Sequence, residues 1–222
     1  TIINGHQKDF DPYTDKILFS AGSGMTPDMM AHILLKGGPD LTMAQGKEIF
    51  NTQYGYIKGM SGGERRLSYQ RGELNVTRES TASYNKFYSD APYSTMWFSQ
   101  GVFNLETGEI DVDPNWPNKS IHEVFEAKWG VAPSGEFWNA FELVRNFRDV
   151  MQKALWTQKD NPNTPALVAA FRAMAADPES MAKIYVKTGK YDWIIGDDMK
   201  TALDILREQI QRDTLANLVD FL

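Results

Sequence analysis

The sequence contains no cysteine, so disulfides and thiolate metal sites are excluded, while the cellular compartment is left open. Its three histidines (His6, His32 and His122) are widely separated and show no metal-ligand spacing. There is also no nucleophile motif such as G-x-S-x-G and no histidine close to a pair of carboxylates. We therefore expect a protein with no catalytic residues, no metal and no cofactor.

Long apolar runs and long basic runs are also absent. No window approaches the roughly 18 consecutive apolar residues of a transmembrane helix, so we expect no direct membrane insertion. The net charge of −6 argues against a nucleic-acid partner. With 222 residues and 42% apolar residues, the composition is typical of a globular chain with a sizeable core. The 6 Trp and 9 Tyr exceed the needs of a minimal core and suggest a cleft or an interface.

One stretch, Ile17 to Leu35, predicts a short strand, a small-residue loop and a helix. Gly22 and Gly24 let the backbone of the loop approach a ligand closely. Thr26 suits the N-cap and Pro27 the first helical position. The unpaired N–H groups at such a helix start favour an anion, in particular a carboxylate or a phosphate. An ordinary capped strand-to-helix turn has the same pattern, so both interpretations stay open.

Strand and helix patterns alternate along the first hundred residues, which predicts an α/β sheet with crossover helices. Strands are expected near residues 17–19, 52–57, 73–77 and 96–103, with the last in the centre of the sheet. A second glycine loop, Lys58 to Gly63, precedes a predicted helix. Both loops lie at the carboxyl ends of strands, where ligands of such sheets bind.

The rest of the chain is predicted to be mainly helical. These patterns divide the whole chain into three regions. Residues 1–15 form a polar lead-in segment, residues 16–160 an α/β ligand-binding-type domain, and residues 161–222 a helical C-terminal region. Ser120 and Glu123 can form a capping box, and residues 135–155 have the apolar spacing of a long amphipathic helix. A last helix is expected over residues 197–222.

Two loops and the C-terminal region together resemble one known family. The segments are Ser20 to Thr26, Lys58 to Glu64 with the following Gln70 to Asn75, Asn163 to Pro165, and Ala176 to Glu179. They are similar to segments of the substrate-binding receptors of tripartite tricarboxylate transporters, which are two-domain periplasmic binding proteins of the clamshell type. The resemblance implies a periplasmic-binding-protein-like sheet and a periplasmic location. It also implies an N-terminally shortened receptor that starts where the second domain would start, with residues 161–222 completing the other domain.

The resemblance further implies a function and a site. The chain would capture a small organic carboxylate by hinge closure, without catalysis, for the membrane subunits of a transporter. The carboxylate cradle would consist of Ser20, Gly22, Ser23, Gly24, Met25 and Thr26, with the hydroxyls of Ser23 and Thr26 as donors. Further polar contacts would come from Glu79, Ser80 and Thr81. The charge of Glu79 would oppose a carboxylate unless this side chain is protonated or turned away.

Two alternative functions belong to classes other than a solute receptor. In the first, the receptor fold is reused as a non-catalytic interaction subunit, whose exposed face is covered by another protein chain. The many aromatic residues and the leucine stripe of the last predicted helix favour it. In the second, the chain is an enzyme, for which the sequence shows no motif.

Overall fold

The structure, a computed structural model, describes residues 2–6, 10–21, 26–151 and 154–211. The fold is mixed α/β, which confirms the predicted class at that level, while the periplasmic-binding-protein-like architecture stays a prediction. The strands are β1 Ile2–His6, β2 Ile17–Ala21, β3 Tyr54–Lys58, β4 Val76–Glu79, β5 Ser94–Ser99, β6 Val102–Phe103 and β7 Ile110–Asp111. The helices are α1 Pro27–Gly37, α2 Met43–Gln53, α3 Gly62–Gln70, α4 Thr81–Phe87, α5 Ile121–Trp129, α6 Glu136–Met151, α7 Thr164–Ala176, α8 Pro178–Thr188 and α9 Asp197–Gln211.

The strands form two small sheets that lie side by side, and a separate hairpin. β1 lies between β4 and β5 and is antiparallel to both, while β2 and β3 are parallel to each other. Asn75, just before β4, joins the two sheets. Its N–H donates to the carbonyl of Leu18 at 3.1 Å, and its carbonyl accepts from the N–H of His6 at 2.8 Å. β6 and β7 form the hairpin.

Two strands differ from the sequence-based expectation. β1 lies within residues 1–15, where we predicted no strand, yet Ile2 and Ile3 are fully buried. The strand predicted over residues 96–103 is wrong in its central placement and its length. β5 pairs along one side with β1 and makes a single bridge on the other, from Ser99 to Ser120. The chain turns at Gly101, where φ is 72° and an added Cβ would lie 2.5 Å from the carbonyl oxygen of Asp111, so both features favour glycine.

Helix α1 forms the centre of the main core. The predicted cap is confirmed, since Thr26 Oγ1 accepts from the N–H of Met29 at 3.4 Å and Pro27 occupies the first helical position. The side chains of Met29, Ile33 and Leu34 are buried in a core that includes Phe19 of β2, and α1 packs against α2, α5 and α6. Such burial on nearly every side is expected of a helix enclosed by other elements.

Helix α8 begins where its capping residue predicts, while α7 begins at Thr164, two residues before the predicted start at Ala166. Asp177 caps α8 by accepting from the N–H groups of Glu179 and Ser180. Helix α9 packs on α6, and its described part ends at Gln211, so residues 212–222 of the predicted last helix lie outside the described residues. In the part of the chain that the structure describes, we find no helix with the length and apolar character needed to cross a bilayer.

Candidate functional site

The carboxyl ends of three strands meet around one carboxylate, that of Asp28 in the first turn of α1. Its Oδ1 accepts from Gln100 Nε2 at 3.0 Å, directly after β5. Arg78 Nη1, near the end of β4, lies 2.9 Å from Oδ2. Because α1 follows β2, these bonds bring the ends of β2, β4 and β5 to the same edge of the sheet. Ligands of α/β proteins bind at such edges.

A second arginine reaches Asp28 from α6. Arg148 Nη1 donates to both carboxylate oxygens at 3.0 Å. Asp28 is fully buried, which favours its neutral form, but the guanidiniums of Arg78 and Arg148 outweigh this effect. They hold the pKa of the carboxyl below its ordinary value of 3.8. Asp28 is therefore ionised at neutral pH and fixes two guanidiniums at the strand ends.

Glu79, the last residue of β4, orders a second pair of arginines from α3. Arg66 forms a two-bond fork with it, Nε to Oε1 at 2.8 Å and Nη2 to Oε2 at 2.9 Å. Arg65 Nη2 lies 3.8 Å from Oε1 and also donates to the carbonyl of Arg78 at 3.4 Å, which joins the two groups. The start of α3 is fixed by a capping box between Ser61 and Glu64. This cap places the two arginines in the second turn, over the end of β4.

We call this cluster the arginine edge, and its members are Asp28, Arg65, Arg66, Arg78, Glu79 and Arg148. Its four guanidiniums outnumber its two carboxylates, so the cluster carries two positive charges. The carboxylate side chains are 0% and 3% exposed, whereas the arginines are 14% to 31% exposed. The two carboxylate side chains are thus buried, whereas the four arginine side chains are partly exposed. A partly exposed guanidinium offers planar, charge-assisted hydrogen bonds that match a carboxylate.

Buried polar side chains lie behind the arginine edge. Asn4 and Thr77 are opposite each other on β1 and β4, and Ser20 is near the end of β2. All three are fully buried, and the amide atoms of Asn4 and the hydroxyls of Ser20 and Thr77 have no hydrogen-bond partner among the described residues. Buried polar groups nearly always have partners. These three buried side chains therefore keep hydrogen-bonding capacity that no described residue uses.

The predicted site residues take different places. Ser20, Thr26 and Glu79 lie at this edge, with Thr26 capping α1 and Glu79 held inward by Arg66. Ser80 caps α4 by accepting from the N–H of Ser83 at 3.3 Å. Thr81, 4% exposed, shares a hydrogen bond with the hydroxyl of Tyr191. Gly22, Ser23, Gly24 and Met25 lie outside the described residues.

Comparison of the chain with family models, curated proteins and solved structures finds no match. The family resemblance of the loops and tail therefore stays a prediction. In the described residues we also find no group of three His, Asp or Glu side chains that could hold a metal ion.

Of the residues that form the arginine edge, only Glu79 was predicted from the sequence as a site residue. One signal was present, since Asp28 precedes a run of seven residues that is apolar except for His32, and an acid beside such a run needs a partner. The partners could not be identified from spacing because Asp28 and Arg148 are separated by 120 residues.

Proposed function

We propose that this protein binds a small organic carboxylate at the arginine edge and releases it unchanged, as a solute receptor rather than an enzyme. The observation that carries the proposal is the excess of partly exposed guanidiniums over buried carboxylates at the ends of β2, β4 and β5. Arginine forks recognise carboxylates by geometry as well as by charge.

The negative charge of Glu79 would repel a bound carboxylate if this side chain faced the ligand, but Glu79 is buried and paired. Its carboxylate is 3% exposed and both of its oxygens accept from Arg66. An approaching anion therefore meets the guanidinium of Arg65 or Arg66 before it meets Glu79. The acid orders the donors, as buried carboxylates do at other arginine sites.

Binding would then lead to closure of the protein over the carboxylate, with no covalent step. The resemblance to tripartite tricarboxylate transporter receptors supports this mechanism, and with it a periplasmic location and delivery to membrane transporter subunits.

A calorimetric and thermal-shift screen tests the proposal. The ligands are di- and tricarboxylates and aromatic acids, and the variants are Arg65→Gln and Arg71→Gln. Arg65 is the safest arginine to remove, because Glu79 keeps its fork with Arg66. Arg71 ends the same helix and its side chain is 61% exposed, which makes it the matched control.

We expect at least one carboxylate to raise the melting temperature, because a ligand that binds only the folded state stabilises it. Arg65→Gln should weaken that ligand roughly 10- to 100-fold, the usual effect of losing a charge-assisted hydrogen bond, and Arg71→Gln should not. Absence of binding across the panel, or equal effects of the two variants, would contradict the proposal.

One observation favours the second candidate, an interaction subunit. Helix α7 has no buried residue, although Arg172 is its only charged residue and Leu167 on it is 39% exposed. Val186 on α8 is 82% exposed. An apolar helix face of this kind usually contacts another chain. Sedimentation velocity tests it: association that is abolished by Leu167→Glu, together with no thermal shift by any carboxylate, would favour the interaction subunit.

A further inference from the structure

A second concave surface lies at the other end of the sheet, where β1 ends and β5 begins. This groove has a volume of about 680 Å³, within the range of small-molecule sites. Its lining includes the aromatic side chains of Phe10, Tyr13 and Trp97, which we call the aromatic wall, and the side chains of Lys119 and Lys128. We call it the aromatic groove.

The rings of the aromatic groove are held in place by packing. One face of Trp97 stacks on the buried ring of His32, with centroids 5.3 Å apart and planes within 12°. The ring of Tyr13 meets Trp97 edge-on at 5.9 Å. Lys36 donates to the carbonyl of Tyr13 at 3.4 Å and so ties this wall to α1. Rigid aromatic walls bind a flat ligand without losing much side-chain entropy.

The indole N–H of Trp97 is a buried hydrogen-bond donor beside the groove. Trp97 is 8% exposed, and its indole Nε1 is buried and has no hydrogen-bond partner among the described residues. An indole N–H of this kind usually finds an acceptor.

The described residues that line the aromatic groove carry a net positive charge. Lys119 and Lys128 line it, and none of the described residues that line it is acidic. Lys128 Nζ lies 4.3 Å from the centre of the Tyr13 ring, so the cation is beside the aromatic wall. Asp11, which does not line the groove, interacts electrostatically with Lys128, and its Oδ1 accepts from the N–H of Tyr13 at 2.9 Å.

From these contacts we infer that the aromatic groove binds an aromatic carboxylate, with the ring against Tyr13 and Trp97 and the carboxylate at Lys119 and Lys128. An aliphatic acid satisfies the lysines but offers no ring face to the aromatic wall. The site is separate from the arginine edge, because no residue of the edge lines the groove and Trp97, its last lining residue on β5, precedes Gln100 by three residues, roughly 10 Å. The inference therefore does not rest on the proposed function.

The test measures binding of 2-naphthoate to the full chain by calorimetry, with cyclohexanecarboxylate as the non-aromatic probe. The variants are Lys119→Gln, Lys128→Gln and the double variant, with Lys183→Gln, an exposed residue of α8, as control. Arg65→Gln reports on the arginine edge. All three lysines are exposed, so the variants should fold.

We expect each groove variant to weaken 2-naphthoate about three- to tenfold, and the double variant more, as is usual for exposed cations beside an aromatic ligand. Lys183→Gln and Arg65→Gln should leave its affinity unchanged, and cyclohexanecarboxylate should bind the wild type more weakly. The inference is overturned if 2-naphthoate does not bind, if Arg65→Gln alone abolishes its binding, or if both probes bind equally.

Discussion

Replacement of His32 by phenylalanine should change how the stability of the protein depends on pH. His32 is fully buried and stacks between Tyr54 and Trp97, at centroid distances of 6.1 and 5.3 Å. Neither ring nitrogen has a hydrogen-bond partner among the described residues. Burial lowers the pKa of His32 from 6.5 to about 3, although Asp28 raises it in part. The folded protein thus keeps this imidazole neutral.

The size of the effect follows from linkage. Below pH 6.5 the unfolded chain binds a proton at His32 that the folded protein does not bind, so the free energy of unfolding falls as the pH falls. Each pH unit between the two pKa values costs about 1.4 kcal/mol. Between pH 7.5 and pH 5 this histidine should therefore remove about 2 kcal/mol of stability. Phenylalanine has no such proton and abolishes the loss.

Urea denaturation of the wild type and His32→Phe at pH 7.5 and pH 5 measures the difference. The stability of each protein at pH 5 is compared with that of the same protein at pH 7.5. Any packing cost of the larger ring is present at both pH values and therefore cancels. We expect the wild type to lose about 2 kcal/mol more than the variant on acidification. His122→Phe is the comparison variant: burial also lowers the pKa of this partly buried histidine, but less than that of His32, so its effect should have the same sign and be smaller. Equal pH dependence in wild type and His32→Phe, or an NMR titration of His32 near pH 6.5, would refute the reasoning.

Three further substitutions test the packing of the fold by urea denaturation. Asp28→Asn leaves two guanidiniums without their carboxylate and should cost about 3 kcal/mol at pH 7. Because the folded pKa of Asp28 is lowered, this cost should shrink as the pH falls below 4. Tyr191→Phe removes hydroxyl contacts with a threonine and an aspartate and should cost about 2 kcal/mol. Gly46→Ala should cost about 2 kcal/mol, because a Cβ there would overlap the ring of Phe137.

Matched controls accompany these substitutions. Asp204→Asn breaks an exposed ion pair with Arg207 and should cost less than about 0.5 kcal/mol. Gly63→Ala has no heavy atom within 4 Å of the new Cβ and should be neutral or slightly stabilising. The predicted contacts are not stabilising if Asp28→Asn loses no more stability than Asp204→Asn, if Gly46→Ala loses no more than Gly63→Ala, or if Tyr191→Phe has wild-type stability.

The helix boundaries could be predicted well from the sequence. Thr26, Ser120 and Asp177 are N-cap residues where their local patterns predict, while Ser61 caps α3 within the segment predicted as a loop. Strands were harder to place. In β1, two apolar residues precede the polar Asn4-Gly5-His6, so five residues show too little alternation to predict a strand.

The candidate site was predicted only in part. The strand-to-helix turn at Ser20 and Thr26 does lie at the edge where β2 ends, but its four central residues lie outside the described residues. Glu79 was predicted as a polar ligand contact through the family resemblance, while its fork with Arg66 depends on how α3 packs over β4.

The amino-acid sequence was sufficient for the helix starts and the mixed α/β class, because a cap or an amphipathic stripe involves residues within one or two helical turns. The arginine edge and the aromatic groove required the folded chain. Asp28 binds Arg148, which is 120 residues away in the sequence. Tyr13, which precedes β2, contacts Trp97 in β5. Local patterns carry no information on such pairs, since packing of α1, α6 and the sheet decides which side chains meet.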